Sequence, residues 1–207
     1  MGKRADGYYP TDPYATEALR AWLSRMMPAV LRDTWVDPAA GYGALLEGLH
    51  IAPGKRHAIE LEPRHKAELA RRVPAANMVI GDGLVKAWNA AHVCMNPDFA
   101  NETMTAFVRR ALARQDERGG LVVCLALATW WHSDAVRSRG KALRRPNYIL
   151  VPDQRVSCDG TGRGDMRAID WLIWTPHAGR TEVVWLPPAA PAPALLAEHT
   201  RLASMGA

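Results

Sequence analysis

An α/β fold with a mostly parallel sheet and helices on both faces is what this chain predicts. Three observations carry that reading. Short β-type runs alternate with helical stretches along most of the 207 residues. The turns between them carry glycine, proline or acidic residues, as in Val36-Asp37-Pro38-Ala39-Ala40-Gly41-Tyr42-Gly43. With 48% hydrophobic residues, the chain is long enough for one domain with a sizeable core and too short for two well-developed ones.

Thr16 to Met27 predicts a first helix, with Leu19, Leu23 and Met26 on one face and Pro28 near its end. Thr34 to Val36 reads as the first strand, Tyr42 to Leu49 as a helix and His57 to Ile59 as the second strand. Arg64 to Arg72 is helical, and Met78 to Ile80 and His92 to Met95 are the third and fourth strands. Glu102 to Asp116 is an amphipathic helix, which Gly119-Gly120 breaks before the apolar fifth strand, Leu121 to Leu127. Further strands are expected at Tyr148 to Leu150, Ala168 to Trp174 and Glu182 to Leu186. The last two resemble an antiparallel hairpin around Pro176-His177-Ala178-Gly179. A domain of residues 1–186 is therefore expected, followed by a Pro/Ala-rich tail, 187–207, with a short helix over Ala194 to Leu202.

No apolar run approaches the roughly 20 residues that span a bilayer, and the first residues lack the apolar centre of a secretory signal. A cytoplasmic location is expected. Cys94, Cys124 and Cys158 are odd in number and widely spaced, which supports neither a disulfide framework nor a zinc site. They read as reduced thiols, with Cys94 and Cys124 in buried strands. Net charge is +5, which suits an anionic partner without identifying one. Arg137, Arg139, Lys141, Arg144 and Arg145 cluster after Trp131, beside the expected substrate side. Such a cluster fits either phosphate contact or a solvated helix face.

Small residues after the first strand let backbone approach a ligand at the carboxyl edge of the sheet. A Gly-x-Gly alone also fits any tight strand-to-helix turn. The second strand ends in Glu60, where a carboxylate can take hydrogen bonds from both ribose hydroxyls. The third ends in Gly81-Asp82-Gly83, which brings Asp82 towards an adenine amino group. Both acids fit helix caps as well. The fourth strand ends in Asn96-Pro97-Asp98-Phe99. An exocyclic base amine is a poor nucleophile, because its lone pair is delocalised into the ring. Two acceptors aimed at its hydrogens, Asn96 Oδ1 and the Pro97 carbonyl, localise that pair. Phe99 offers a face on which a base stacks, and otherwise reads as a core aromatic.

In this order the motifs resemble S-adenosylmethionine-dependent DNA amino-methyltransferases, particularly the small phage-type N6-adenine enzymes. The resemblance spans roughly Tyr8 to Leu186 and implies a Rossmann-like class I methyltransferase fold. Asp37, Gly41 and Gly43, with Pro38 and Ala39, correspond to the methionine-binding turn, Glu60 and Leu61 to the ribose end, and Asp82 and Gly83 to the adenine contact. Tyr8 to Pro13 resembles the N-terminal cofactor motif, in which Tyr9 and Thr11 would sit by the methionine carboxylate. Asn96, Pro97, Asp98 and Phe99 correspond to the catalytic turn, with Asn96 also reaching the cofactor. Asp98 departs from the family, which usually has a second proline there. The implied cofactor is S-adenosylmethionine and the implied partner is DNA, with adenine N6 preferred. Cytosine N4, an RNA amine, a protein glutamine, and an idle binding module are the rivals.

A glycine-rich stretch, Arg155 to Asp165, precedes a Trp-rich strand as in those small enzymes. Its Arg163 joins Trp131 and the basic cluster as expected nucleic-acid contacts. No separate target-recognition domain is visible. Sequence reading must then be short or loose, or draw on the basic segment, the loop or a second subunit such as a homodimer would supply.

Overall fold

The computed structural model of the chain describes residues 10–132, 143–153, 168–177 and 179–205. The expected contacts Tyr9, Arg137, Arg139, Lys141 and Arg163, and the whole glycine-rich stretch from Arg155 to Asp165, lie outside them. The elements are α1 (Pro13–Met26), β1 (Trp35–Asp37), α2 (Ala44–Gly48), β2 (Arg56–Glu60), α3 (Lys66–Leu69), β3 (Met78–Ile80), β4 (His92–Met95), α4 (Asn101–Arg118), β5 (Val122–Leu127), β6 (Tyr148–Pro152), β7 (Ile169–Trp174), β8 (Glu182–Leu186) and α5 (Pro193–Met205). Among the described residues no helix is long and apolar enough to cross a membrane.

The strands form one 8-stranded sheet in the order β3-β2-β1-β4-β5-β7-β6-β8. Every strand except β7 runs in one direction. The antiparallel portion is there, but the expected β7–β8 hairpin is not. β7 lies antiparallel between β5 and β6, and β8 pairs parallel with β6 from Tyr148↔Glu182 to Pro152↔Leu186. Both edges of β7 are taken, so β8 adds to the next free edge, where Val184 and Leu186 reach the α1 side of the core.

Alternation along the strands divides the core between the two faces of the sheet. Trp35, Cys94, Val123, Leu125, Trp171 and Ile173 pack with Leu19 and Leu23 of α1 and Leu45 and Leu46 of α2. Their neighbours Val36, Met95, Val122, Cys124, Leu172 and Trp174 pack with Met104, Val108 and Leu112 of α4. α1 is capped by Asp12, whose Oδ1 accepts from the Tyr14 N–H at 2.7 Å, with Pro13 at the first helical position. Indole N–H groups fasten this core to the backbone. Trp171 donates to the Ala15 carbonyl at 3.0 Å, Trp35 to Val30 at 2.8 Å and Trp174 to Arg144 at 2.7 Å. Cys94 and Cys124 are buried free thiols, and burial raises the pKa of both, so they remain protonated fillers.

Candidate active site at the carboxyl edge

Strand order reverses at β1, which has β2 on one side and β4 on the other. The loops after β1 and β4 therefore leave the sheet in opposite directions and open a crevice at its carboxyl edge. Asp37, Glu60, Asp82 and Asn96 all sit at or just beyond the ends of parallel strands on this edge.

The glycine turn is folded by its own polar groups. Gly41 and Gly43 adopt φ of 53° and 81°, and the Gly43 N–H closes the turn on the Ala40 carbonyl at 2.8 Å. Glu60, 6% exposed, braces the turn from the next strand. Its Oε2 accepts from the Gly41 N–H at 2.6 Å, and its Oε1 accepts from the Glu62 N–H at 2.8 Å and faces His65 Nδ1 at 3.0 Å. Tyr42 packs edge-on against the His65 ring, with centroids 4.6 Å apart. At Gly43 a Cβ would meet Leu69 Cδ1 at 2.9 Å and Arg72 Cβ at 3.5 Å, so the missing side chain also lets α3 pack close to the turn.

Asp37 is buried, and its Oδ1 accepts from the Ala39 N–H at 3.0 Å across Pro38. Burial raises its pKa to about 7, against the Ala39 hydrogen bond and with help from the negative charge of Glu60. Asp82 is exposed, and its Oδ1 accepts from the Leu84 N–H at 2.7 Å. Gly83 backs directly onto the glycine turn, where a Cβ would lie 2.0 Å from the Pro38 carbonyl oxygen. Leu61, directly after Glu60 at the end of β2, is 61% exposed.

Asn96 is half-buried, and its Nδ2 donates to Thr11 Oγ1 at 3.0 Å. Thr11, itself buried, thereby joins the segment before α1 to the turn after β4. With the amide N–H so engaged, Oδ1 is fixed on the opposite side. Among the described residues neither Asn96 Oδ1 nor the Pro97 carbonyl accepts a hydrogen bond. Asp98 is exposed and its Oδ1 accepts from the Ala100 N–H at 3.2 Å, which turns the chain into α4. Phe99 is half-buried and touches both core clusters. Trp131, after β5, is half-buried with its ring edge-on to Trp174.

Arg144 and Arg145 do not flank this site. Arg144 donates to the Thr175 carbonyl at 3.3 Å and to Gln115 Oε1, beside the end of β7 that pairs with the start of β5. That is the amino edge of the parallel strands, roughly 13 Å of strand away from the level of the Asn96 turn. The reversed direction of β7, which set this position, was absent from the charge pattern.

Sequence reasoning passed over His65 and Arg72. His65 follows Glu60 by five residues in Glu-Pro-Arg-His, a spacing that held the signal. Arg72 reads in the sequence only as the end of a helical stretch, yet it is buried and donates to the Tyr42 carbonyl at 3.1 Å.

No family model matches the chain, and no curated protein matches it in sequence. Solved structures do. The modification subunit of a type I restriction enzyme from Vibrio vulnificus superposes with a TM-score of 0.60 at 12% identity, over 90% of this chain and 49% of that one. The DrdV–DNA complex gives 0.57 at 14% identity, over 96% of this chain and 29% of that one. A protein assigned as a class I S-adenosylmethionine-dependent methyltransferase from Listeria monocytogenes gives 0.56 at 14% identity, over 93% and 71%. The chain thus spans about half or less of the first two of these proteins. Together with the strand order, these likenesses establish that it has the Rossmann-like fold of class I S-adenosylmethionine-dependent methyltransferases.

Proposed function

We propose that the chain is an S-adenosylmethionine-dependent methyltransferase acting on the exocyclic amine of a nucleic-acid base, with adenine N6 in DNA as its acceptor. The observation that carries this reading is Asn96. Its amide is anchored by Thr11, and among the described residues its Oδ1 and the neighbouring Pro97 carbonyl accept no hydrogen bond, at the end of β4 beside β1.

The residues around the crevice suit such a cofactor. Leu61 is exposed directly after Glu60, the β3 end that carries Asp82 lies beside the β2 end, and the glycine turn has no side chain at Gly41. Glu60 keeps lone-pair capacity beyond the bonds it makes to Gly41, Glu62 and His65. When bound, the sulfonium supplies an electrophilic methyl group and leaves as a neutral thioether. Asn96 Oδ1 and the Pro97 carbonyl hold the two amine hydrogens and strengthen those bonds as positive charge develops on nitrogen. Phe99 supports the ring plane, and the proton released after transfer passes to solvent. A base in duplex DNA must be turned out of its stack to reach this turn. DNA is favoured by the likenesses to the type I restriction-enzyme modification subunit and to the DrdV–DNA complex.

Nucleoside mass spectrometry on unmethylated DNA and RNA incubated with the protein and labelled cofactor tests the assignment. N6-methyladenine in DNA is expected. Label in N4-methylcytosine, RNA or protein would move the acceptor, and no label in any of them would reject methyl transfer.

A further inference from the structure

The glycine turn is held from outside as well as by Glu60. Arg72 is 5% exposed, and it spends its guanidinium on several separate elements. Nη1 donates to the Tyr42 carbonyl at 3.1 Å and to Glu68 Oε1 at 2.8 Å, and Nε donates to Glu47 Oε2 at 2.7 Å. Those partners lie in the turn, on α3 and on α2. The remaining nitrogen, Nη2, donates to Glu198 of the terminal helix α5. Arg201, one turn further along α5, donates to Glu198 at 2.8 and 2.7 Å and reaches Glu68 Oε2 at 3.3 Å. Burial alone would raise the pKa of Glu68, but hydrogen bonds from Arg201 and Arg72 outweigh it and hold the pKa below its ordinary value. The network is therefore ionised, and a buried cation that loses one of its carboxylates must move or draw in water.

α5 is joined to β8 by Pro187-Pro188-Ala189-Ala190-Pro191-Ala192, a short semi-rigid spacer that sets its reach, and its contacts with Arg72 and Glu68 fix where it docks. Leu202 is fully buried, and Leu195, Glu198 and Leu202 line a small cleft with Thr11 and Glu47. The helix thus sits against both supports of the site: Arg72, which grips the glycine turn, and Thr11, which grips Asn96.

We propose that α5 is a positioning element of the cofactor site, acting through Glu198 and Arg201 on Arg72 and through Arg72 on the Tyr42 carbonyl of the glycine turn. This rests on the reading of that turn as the cofactor's seat. Without Glu198, Arg72 swings towards Glu68 and Glu47, and the positive-φ backbone from Gly41 to Gly43 loses its outer hold.

The full chain carrying Glu198→Ala, with Glu198→Gln beside it, supplies the test. Calorimetry with S-adenosylhomocysteine should show affinity weakened about five- to tenfold in Glu198→Ala, an ordinary size for coupling between sites. Glu198→Gln, which still accepts from one guanidinium, should fall between it and wild type. Turnover at saturating cofactor should stay within about twofold, since the effect is on binding rather than on the reacting atoms. Hydrogen exchange should accelerate at the Gly41 and Gly43 amides while β5 amides remain protected. Wild-type exchange at Gly41 and Gly43 in Glu198→Ala would overturn the proposal, whatever the affinity. Should the unaltered protein bind no S-adenosylhomocysteine, the cofactor reading fails, and the exchange result still decides whether α5 grips the turn.

Discussion

The two sides of the crevice are built differently. On the β1–β3 side the polar groups are largely occupied by the protein itself: Glu60 by Gly41, Glu62 and His65, Asp37 by Ala39, Asp82 by Leu84, and the Tyr42 carbonyl by Arg72. On the β4 side, Asn96 is tied at one end only, and Asn96 Oδ1 and the Pro97 carbonyl take no hydrogen bond among the described residues. A braced turn is a rigid seat, ready before its ligand arrives. Acceptors left open are the groups a substrate amine would complete. Stability should therefore concentrate on the first side and reactivity on the second, and substitutions can pull these apart.

Asn96→Ala gives the largest expected effect. On the proposed function it removes one of two acceptors made for the transition state, so turnover should fall by about 10²–10³-fold, the range for loss of one such group. Cofactor affinity should change by less than about twofold, because Asn96 lies on the open side. Calorimetry beside a turnover assay separates the two quantities, and equal losses in both would erase the distinction between the sides.

Gly83→Ala should act on the braced side by stability. A methyl group 2.0 Å from the Pro38 carbonyl forces the turns after β1 and β3 apart, and a loss of about 1–3 kcal/mol in denaturant titration is expected. Gly54→Ala, with nothing within 4 Å of the added carbon, is the control and should stay within about 0.5 kcal/mol. Equal stabilities for the two variants would show that the turns do not bear on each other as described.

Asp37 gives the braced side a pH dependence of defined sign. Its pKa rises on folding from 3.8 to about 7, so between these values the folded state holds the proton that the unfolded state has released. The associated stability is full below the lower value and is lost as pH rises to the upper one. Asp37→Asn should therefore raise the melting temperature at pH 8 more than at pH 5, as differential scanning calorimetry at the two pH values would read. A larger gain at pH 5 would reverse the account.

The smallest effect belongs to Asp98. Its bond to the Ala100 N–H supplies by hydrogen bonding some of the stiffness that a second proline would supply by its ring. Asp98→Asn keeps that acceptor and should leave stability and turnover near wild type. Asp98→Ala should lower stability by about 0.5–1.5 kcal/mol, as for loss of one hydrogen bond. If Asn fails as badly as Ala, the negative charge rather than the hydrogen bond is what matters.

Most of this architecture was legible because strand ends are marked by residue types that a carboxyl edge requires. The β1 turn, the acid after β2 and the Asn-Pro step after β4 each announced a place in the sheet, and parallel order then brought them together. The β7–β8 connection was not legible, since alternation shows that two segments are strands but not which edge each one joins. The place of Arg144 was hidden for the same reason: chain distance from Trp131 is short, yet its contacts lie at the amino edge of the parallel strands. Arg72 stayed hidden because its partners are 4, 25, 30 and 126 residues away. Such long-range pairing leaves no periodic trace in composition or spacing.

A crystal structure with S-adenosylhomocysteine bound tests the central claim most directly. The account predicts the ribose against Glu60, the adenine between Leu61 and Asp82, and the sulfur facing Asn96 Oδ1 across the β1–β4 crevice. A ligand seated elsewhere, or an Asn96 oxygen turned away from the sulfur, would contradict it.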